Sequence, residues 1–441
     1  MRKRFIIAFL SYFFLAGYTG YAQLRMLTIE EAVAAALKNN FDILLLKNDS
    51  AVYALNNSYA KAAFLPRFNA SSAVLFNNNN LKQKLADGSE RKQDGIRSNN
   101  INASLNMNWT VFDGFRMFAT RDKLAEFVTL GNLTIKNQLI NTISEIIKTY
   151  YNIVRQKQQR KAIEEQMGIN EERVKQAEKK LTVGLGAKPE LLQAKLDLNA
   201  QKAALLQQIT LIEKLKDQLN QLMVFEPGTT YEVADSIVFD NTLVAGDIFN
   251  SAEKNNTELQ VAKQNIQLAN TTLRERKADR FPIVSLNSAY NYNKTSNKLV
   301  VNNFTPLFNR NHGFNYGVSI SIPILNSFTV KRQIKEAKMD IEYQQLIYDY
   351  QKSKINIAIS NAYKDYELQK KTLDLEESNI ILAKENVYIA IERLRLGIST
   401  SLELRETQKS LEDAYNRLIA ARYNTKVAET ELLRLRGSLV K

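Results

Sequence analysis

Residues 328–396 read FTVKRQIKEAKMDIEYQQLIYDYQKSKINIAISNAYKDYELQKKTLDLEESNIILAKENVYIAIERLRL, 69 residues without a proline or a glycine. From Ile355 the apolar side chains fall at Ile355, Ile359, Ala362, Tyr366, Leu373, Ile380, Ala383, Val387, Ala390 and Leu394, with Gln369 and Glu376 on the same ladder. Steps that alternate between four and three residues make a heptad with an apolar seam. As one helix the stretch would span ~100 Å, a length no ordinary globular domain needs. Gly397 ends it. A second helical pattern follows at once, Leu402 to Arg436, with its seam at Leu404, Leu411, Ala414, Leu418, Ala421, Ala428, Leu432 and Leu435. The spacing predicts a long coiled-coil hairpin that turns at Gly397.

Working outward, the same landmarks occur twice. Lys38-Asn39-Asn40 recurs as Lys254-Asn255-Asn256, Leu65-Pro66 as Phe281-Pro282, Phe112-Asp113-Gly114-Phe115 as Leu325-Asn326-Ser327-Phe328, and Leu181 to Gly184 as Leu394 to Gly397. A near-constant offset of about 215 residues across four landmarks is the signature of an internal repeat. Each half opens with a helix. Thr28 and Glu31 form a capping-box pattern, and Asp247 opens the counterpart. Both helices end before a proline, where helical geometry is disfavoured.

Two strands follow in each half. In the stretch 101–111, Ile101, Ala103, Leu105, Met107, Trp109 and Val111 alternate with Asn102, Ser104, Asn106, Asn108 and Thr110. In the second half Phe314, Tyr316, Val318, Ile320, Ile322 and Ile324 alternate with Asn315, Gly317, Ser319 and Ser321. Strict alternation over ~10 residues suits a transmembrane β-strand. It places Leu105, Trp109, Val318, Ile320 and Ile322 toward lipid, and Asn106 and Ser319 toward a wet lumen. Long polar loops are expected at 77–100, with turns at Asp87-Gly88 and Asp94-Gly95, and at 294–311. Asp113 and Asn326 are natural N-caps for the long helices. Four strands cannot close a barrel in lipid, and open edges are not tolerated there. The strands must come from several chains; eight, twelve or more would close.

The fold class expected is therefore a mixed α+β membrane protein. A long α-helical coiled-coil barrel continues into a transmembrane β-barrel shared between chains, with four strands per chain. The expected divisions are a signal peptide (1–22), a first repeat (23–225), an equatorial link (226–245), a second repeat (246–437) and a C-terminal tail (438–441). The first repeat holds helix 28–64, strands 67–76 and 101–112, and helices 115–183 and 188–224. The second holds helix 247–280, strands 283–293 and 314–325, and helices 328–396 and 400–436. The signal reading rests on Arg2, Lys3 and Arg4, the apolar run Phe5 to Ala16, and small Gly20 and Ala22 before Gln23.

The composition excludes much chemistry. Cysteine is absent, so disulfides, zinc-thiolate sites and cysteine nucleophiles are impossible. The single histidine, His312, is expected in an external loop. Carboxylate pairs such as Glu164/Glu165, Glu171/Glu172 and Glu376/Glu377 sit in heptad helices and read as solvated faces. No catalytic constellation, cofactor or metal site is expected, and the chain reads as no enzyme. The formal charge of +14 is scattered along helices, which argues against nucleic acid as a partner.

In order and duplicated, Leu27-Thr28-Ile29-Glu30-Glu31-Ala32, Leu65-Pro66, Phe112-Asp113-Gly114, Leu396-Gly397 and Val427-Ala428-Glu429-Thr430-Glu431-Leu432-Leu433 resemble the TolC-like outer-membrane efflux proteins. The resemblance covers essentially the whole mature chain. It implies a homotrimer in the outer membrane of a Gram-negative bacterium, its lipid as a partner, and a long helical portion in the periplasm. It also implies a periplasmic adaptor and an inner-membrane transporter as partners. The expected function is the exit duct of a tripartite efflux or type I secretion system, with drugs, metal ions or polypeptide as cargo. The alternative is a structural periplasmic coiled-coil protein without channel activity. The hairpin tips, Gly184 and Leu185 with Gly397, Ile398 and Ser399, are the expected adaptor contacts. Glu403 and Glu406, three residues apart on one helix face, and Glu190 in the other hairpin are the expected pore-entrance carboxylates. Family members often carry a tyrosine three residues before the second turn glycine; this chain has Leu394.

Overall fold

The computed structural model describes residues 25–239, 243–299 and 304–439. The expected signal peptide, part of the link and the end of the tail lie outside them. The chain divides into two compact units. One, Asp49–Asn132 with Val261–Asp349, carries the strands. The other is helical and takes in Leu133–Gln260 and the chain from Tyr350 onward, together with the segment up to Asn48. Among the described residues no helix is long and apolar enough to cross a membrane.

In the helical unit the first helix, α1 (Ile29–Asn39), starts with the capping box. Thr28 Oγ1 accepts from the Glu31 N–H at 3.2 Å, and Glu31 accepts from the Thr28 N–H. The expected single helix 28–64 is interrupted. Asn40 leaves helical geometry at φ −57, ψ 128, and the chain resumes as α2 (Phe41–Ser58) and a short 3-10 turn, Ala60–Phe64. The cause is the Asn40 side chain. Its Oδ1 accepts from the Asp42 N–H and its Nδ2 donates to the Leu222 carbonyl at 3.1 Å. An asparagine that bonds local backbone competes with the helical ladder. Asn256 does the same in the second half, accepting from the Leu259 N–H and donating to the Leu435 carbonyl at 2.9 Å. The helix expected at 247–280 is thus α5 (Ala245–Asn255) followed by α6 (Thr257–Ala278). Its N-cap is Val244, not Asp247.

Two hairpins follow the heptad seams: α3 (Arg116–Thr182) with α4 (Lys188–Met223), and α7 (Thr329–Arg395) with α8 (Ser401–Arg436). In the second, Leu373, Ile380, Val387, Ala390 and Leu394 pack on Leu404, Leu411, Ala414, Leu418 and Ala421. Each fully buried aliphatic side chain contributes about 1.5–3 kcal/mol. The polar position Glu376 is buried in this seam, where Arg417 Nε donates to it at 3.0 Å and Asn379 donates as well. The link lies on α3. Lys157 pairs with Glu232 at 2.9 Å and Asp235 at 2.8 Å, and Tyr150 Oη donates to the Leu27 carbonyl at 2.8 Å. Burial alone would raise the Glu232 carboxyl, but Lys157 and Lys216 outweigh it and hold its pKa below the ordinary value. Hydrogen bonds from Lys157 and Lys161 lower that of Asp235.

In the strand unit β1 (Arg67–Lys84), β2 (Glu90–Asp113), β3 (Ile283–Asn297) and β4 (Phe308–Ser321) form one antiparallel sheet in the order β1-β2-β3-β4. The strands differ from expectation at their tips. Most of the expected loop 77–100 is a paired hairpin, because backbone pairing does not need the apolar alternation that marked the lower strand. Asp87-Gly88 makes the turn, with Leu85 and Ser89 bonded across it. Asp94-Gly95, expected as a second turn, is instead a bulge inside β2. Gly95 takes φ +69, the register shifts between Asn79 and Leu81, and the Gly95 N–H donates to Asn80 Oδ1; a glycine with positive φ suits such a bulge. Strand β4 starts before the expected Phe314 and stops at Ser321. Pro323, which has no N–H to donate, follows, so Ile322 lies beyond the strand.

The sheet passes into α3 through Gly114 and Phe115, both at positive φ, and Asp113 accepts from the Met117 N–H at 3.0 Å. A Cβ on Gly114 would stand 2.4 Å from the Ala278 carbonyl oxygen, so only glycine fits. The counterpart, Ser327-Phe328, has the same left-handed pair, and there the Asn326 carbonyl accepts from the Thr329 N–H.

Candidate pore wall and helical tips

Directly paired residues of an antiparallel sheet share a face and successive residues alternate, so the register sorts the wall completely. One face carries the rows Phe68–Met107–Ser288–Tyr316 and Ala70–Leu105–Tyr290–Phe314. Trp109, Leu286, Val318, Val284 and Ile320 continue it toward the helix-joined ends. Leu105, Val318 and Ile320 are all exposed, so this chain alone does not cover that face. Trp109 Nε1 donates to the Phe64 carbonyl at 2.8 Å. The other face carries Asn108–Asn287–Gly317, Asn106–Ala289–Asn315 and Asn102–Asn293–Asn311. Its side chains bond one another: Asn108 donates to Asn287 at 2.6 Å and Asn287 to Ser319 at 2.9 Å. Arg67, paired with Asn108, adds one cation at the helix-joined end of this face; the amide-and-hydroxyl ladder above it can line water without binding any one solute tightly. His312 is not in a loop; it lies in β4 opposite Tyr292 on the apolar face.

At the hairpin tips each helix ends in the same way. Gly184 takes φ +76; its N–H donates to the Leu181 carbonyl, and the Leu185 N–H donates to Lys180 at 2.8 Å. Gly397, also at φ +76, bonds Leu394, and the Ile398 N–H bonds Arg393 at 2.9 Å. This paired pattern closes a helix through a left-handed glycine. It leaves Leu185 83% and Ile398 67% exposed. Ser399 is turned inward to its own chain, donating to Glu403 Oε2 at 2.7 Å.

The three expected entrance carboxylates have different surroundings. Glu403 receives a hydrogen bond from Arg393 Nη1 at 2.7 Å, and its N–H is capped by Thr400 Oγ1 at 3.2 Å. Glu190 accepts from the Ser401 hydroxyl, which joins the two tips. Glu406 is exposed and forms no ion pair among the described residues. Arg405, beside it, reaches Asp197 at 3.8 Å. Leu394 is buried against Leu404.

Sequence reasoning missed a polar layer behind the tips. Arg173 is 8% exposed, and Nη1 donates to Asn170 at 3.0 Å, Asp197 at 3.2 Å and Gln408 at 3.1 Å. It bridges α3, α4 and α8. The signal that could have found it is a charged residue on the α3 face that otherwise carries the packed side chains. Among the described residues no group of three or more His, Cys, Asp or Glu is placed to hold a metal ion.

Comparison with known proteins agrees with this geometry. The profile described as outer membrane efflux protein matches residues 32–223 and 248–438. The outer membrane efflux protein BepC of Brucella suis is 20% identical over 424 residues, covering 96% of this chain and 87% of BepC. The structure of VceC from Vibrio cholerae superposes with a TM-score of 0.75 at 15% identity, covering 93% of this chain and 96% of VceC. The CmeC outer membrane channel of Campylobacter jejuni gives 0.76 at 16% identity, covering 93% and 85%.

Proposed function

The chain belongs to the outer membrane efflux protein family, and from that premise we propose that it is the exit duct of a tripartite export system, assembled as a homotrimer. It is an outer-membrane protein of the efflux-channel class, with a helical portion in the periplasm.

The observation that carries the proposal is the sheet. Among the described residues it has four strands, and β1 and β4 are edges without a partner in the same chain. In hydrocarbon each unsatisfied backbone group costs several kcal/mol, so the edges must be sealed by other copies. Three copies of a four-stranded sheet make a twelve-stranded barrel with the amide ladder inside and the Leu105/Ile320 face in lipid. A purely periplasmic coiled-coil protein has no use for such a face. The two matched stretches of the family profile support the internal repeat, in which each half supplies one strand pair and one helical hairpin.

The tips are the proposed adaptor contacts, with Leu185 and Ile398 as the apolar groups and Gly184, Gly397 and Ser399 shaping the turns. Glu403, Glu406 and Glu190 are the proposed entrance carboxylates. The partners on this reading are a periplasmic adaptor and an inner-membrane transporter; the cargo class follows from the transporter and is readable from neighbouring genes. Mass measurement of the detergent-solubilised protein tests the assembly: three chains are expected, and a stable monomer without conductance overturns the proposal. Crosslinking from Leu185→Cys and Ile398→Cys tests the docking. Crosslinks to the adaptor only from other positions, in a working pump, reject the tips.

A further inference from the structure

We propose that the lipid-side face of the sheet holds a docking site for the phosphate groups of the outer-leaflet glycolipid, formed by Arg97, Lys294, Lys298 and Arg310. The inference rests on the outer-membrane placement of the sheet. The strands join helices at one end, so the two hairpin tips point to the other, external, side.

Register puts the four cations on one face as two pairs. Lys294 is paired with Arg310 and with Ile101. Four residues further out, ~13 Å along the strand, Arg97 lies beside Lys298, whose N–H donates to the Arg97 carbonyl at 2.9 Å. All four sit on the face that carries Tyr290, Phe314 and Leu105, while the opposite face at these rows carries Asn293, Thr295, Asn309 and Asn311. Segregation to the lipid side is not what tip solubility alone would produce, since that would place charge on either face. Among the described residues none of the four forms an ion pair, so their charge is available to an anion from outside the chain. Lys294 Nζ lies 5.6 Å from the Phe308 ring centroid, which holds the ammonium at the wall.

Height agrees with the assignment. Lys294 is ~36 Å along the strand from Ile283. With a tilt of about 40° this is ~28 Å along the membrane normal, just beyond an apolar band of about 25 Å. Lys294 and Arg310 therefore stand at the level of lipid phosphates, and Arg97 and Lys298 ~10 Å above them, among the glycolipid headgroups. Immediately below them Phe68, Leu105, Met107, Tyr290, Phe314 and Tyr316 line a shallow apolar furrow. A phosphorylated glycolipid fits both chemistries: phosphate oxygens on guanidinium and ammonium groups, acyl chain in the furrow.

The test compares the parent protein with Arg97→Gln/Lys294→Gln/Lys298→Gln/Arg310→Gln. Each is mixed in detergent with lipid A bisphosphate or with its dephosphorylated form, and bound lipid is counted by native mass spectrometry. The parent is expected to retain the bisphosphate by more than roughly tenfold over the dephosphorylated form. The variant should lose that preference while keeping its conductance. Equal retention by parent and variant, or no phosphate preference in the parent, overturns the site. If the quadruple variant does not assemble, Lys294→Gln/Arg310→Gln is read the same way, with a partial loss expected and no loss overturning the site. A parent that prefers the bisphosphate but never conducts supports this inference and counts against the channel reading, so the two fail separately.

Discussion

Replacing Gly114 by alanine should disrupt the joint between sheet and long helix. Two costs add. At φ +71 an L residue sits in the left-handed region, at about 1–2 kcal/mol. The new Cβ would also lie 2.4 Å from the Ala278 carbonyl oxygen and 2.7 Å from Phe281 Cβ. Ordinary contact needs roughly 1 Å more. Neither neighbour is the far end of a flexible side chain, since one is backbone and the other a Cβ next to Pro282. Overpacking of this kind costs about 1–3 kcal/mol, so the sum is about 2–5 kcal/mol. Gly88→Ala is the control: its φ is +86 but nothing lies within 4 Å of the added Cβ, so only the conformational term of about 1–2 kcal/mol applies. Ser327→Gly at the equivalent second joint should be neutral or stabilising, because it relieves a strained serine at φ +51. The assay is thermal melting by circular dichroism in detergent, beside the amount assembled in the outer membrane. Equal melting of Gly114→Ala and Gly88→Ala would rule out a clash at the Ala278 carbonyl.

Leu105→Arg should cost ~2–4 kcal/mol at the bilayer midplane and Asn106→Arg little; equal assembled amounts of the two variants would mean the faces are assigned wrongly. Glu406→Ala should reduce cation selectivity and block by divalent or trivalent ions in bilayer recordings more than Glu403→Ala, because Arg393 already compensates Glu403; unchanged selectivity in the double variant reduces both to helix-terminal residues. The link should loosen in acid: Glu232 and Asp235 have pKa values below the ordinary 4.5 and 3.8, so their stabilisation is present above those values and is lost as pH falls through the lowered ones. Hydrogen exchange of residues 229–237, corrected for its intrinsic pH dependence, should lose protection as pH falls below the ordinary carboxylate values, and the acid-induced loss should be much smaller in Lys157→Met.

The parts of the fold that follow a period were legible. A heptad seam is set by the chain's own packing, so Leu373 to Leu394 marked the helix and Gly397 its end. Alternation did the same for the lower strands, where one face is apolar. It lost the upper half of the first hairpin because residues 77–84 and 90–100 carry only Leu81 and Ile96 among polar side chains, too few to mark an apolar face. It overran at Ile322 because the apolar period continues through Pro323 after the ladder has stopped. The break at Asn40 was invisible because its cause is distant: the Leu222 carbonyl that Asn40 satisfies lies far away in the chain. The tips were readable as turns from glycine, but the Arg393–Glu403 and Arg173–Asp197 pairs depend on which helices face each other, which no local spacing encodes.

An exit duct must make a water-filled path through the outer membrane. Single-channel recording of the purified protein in a planar bilayer addresses it most directly. Discrete conductance steps are expected. Protein that floats with the lipid, and so has inserted, yet passes no ionic current under any applied voltage would contradict it.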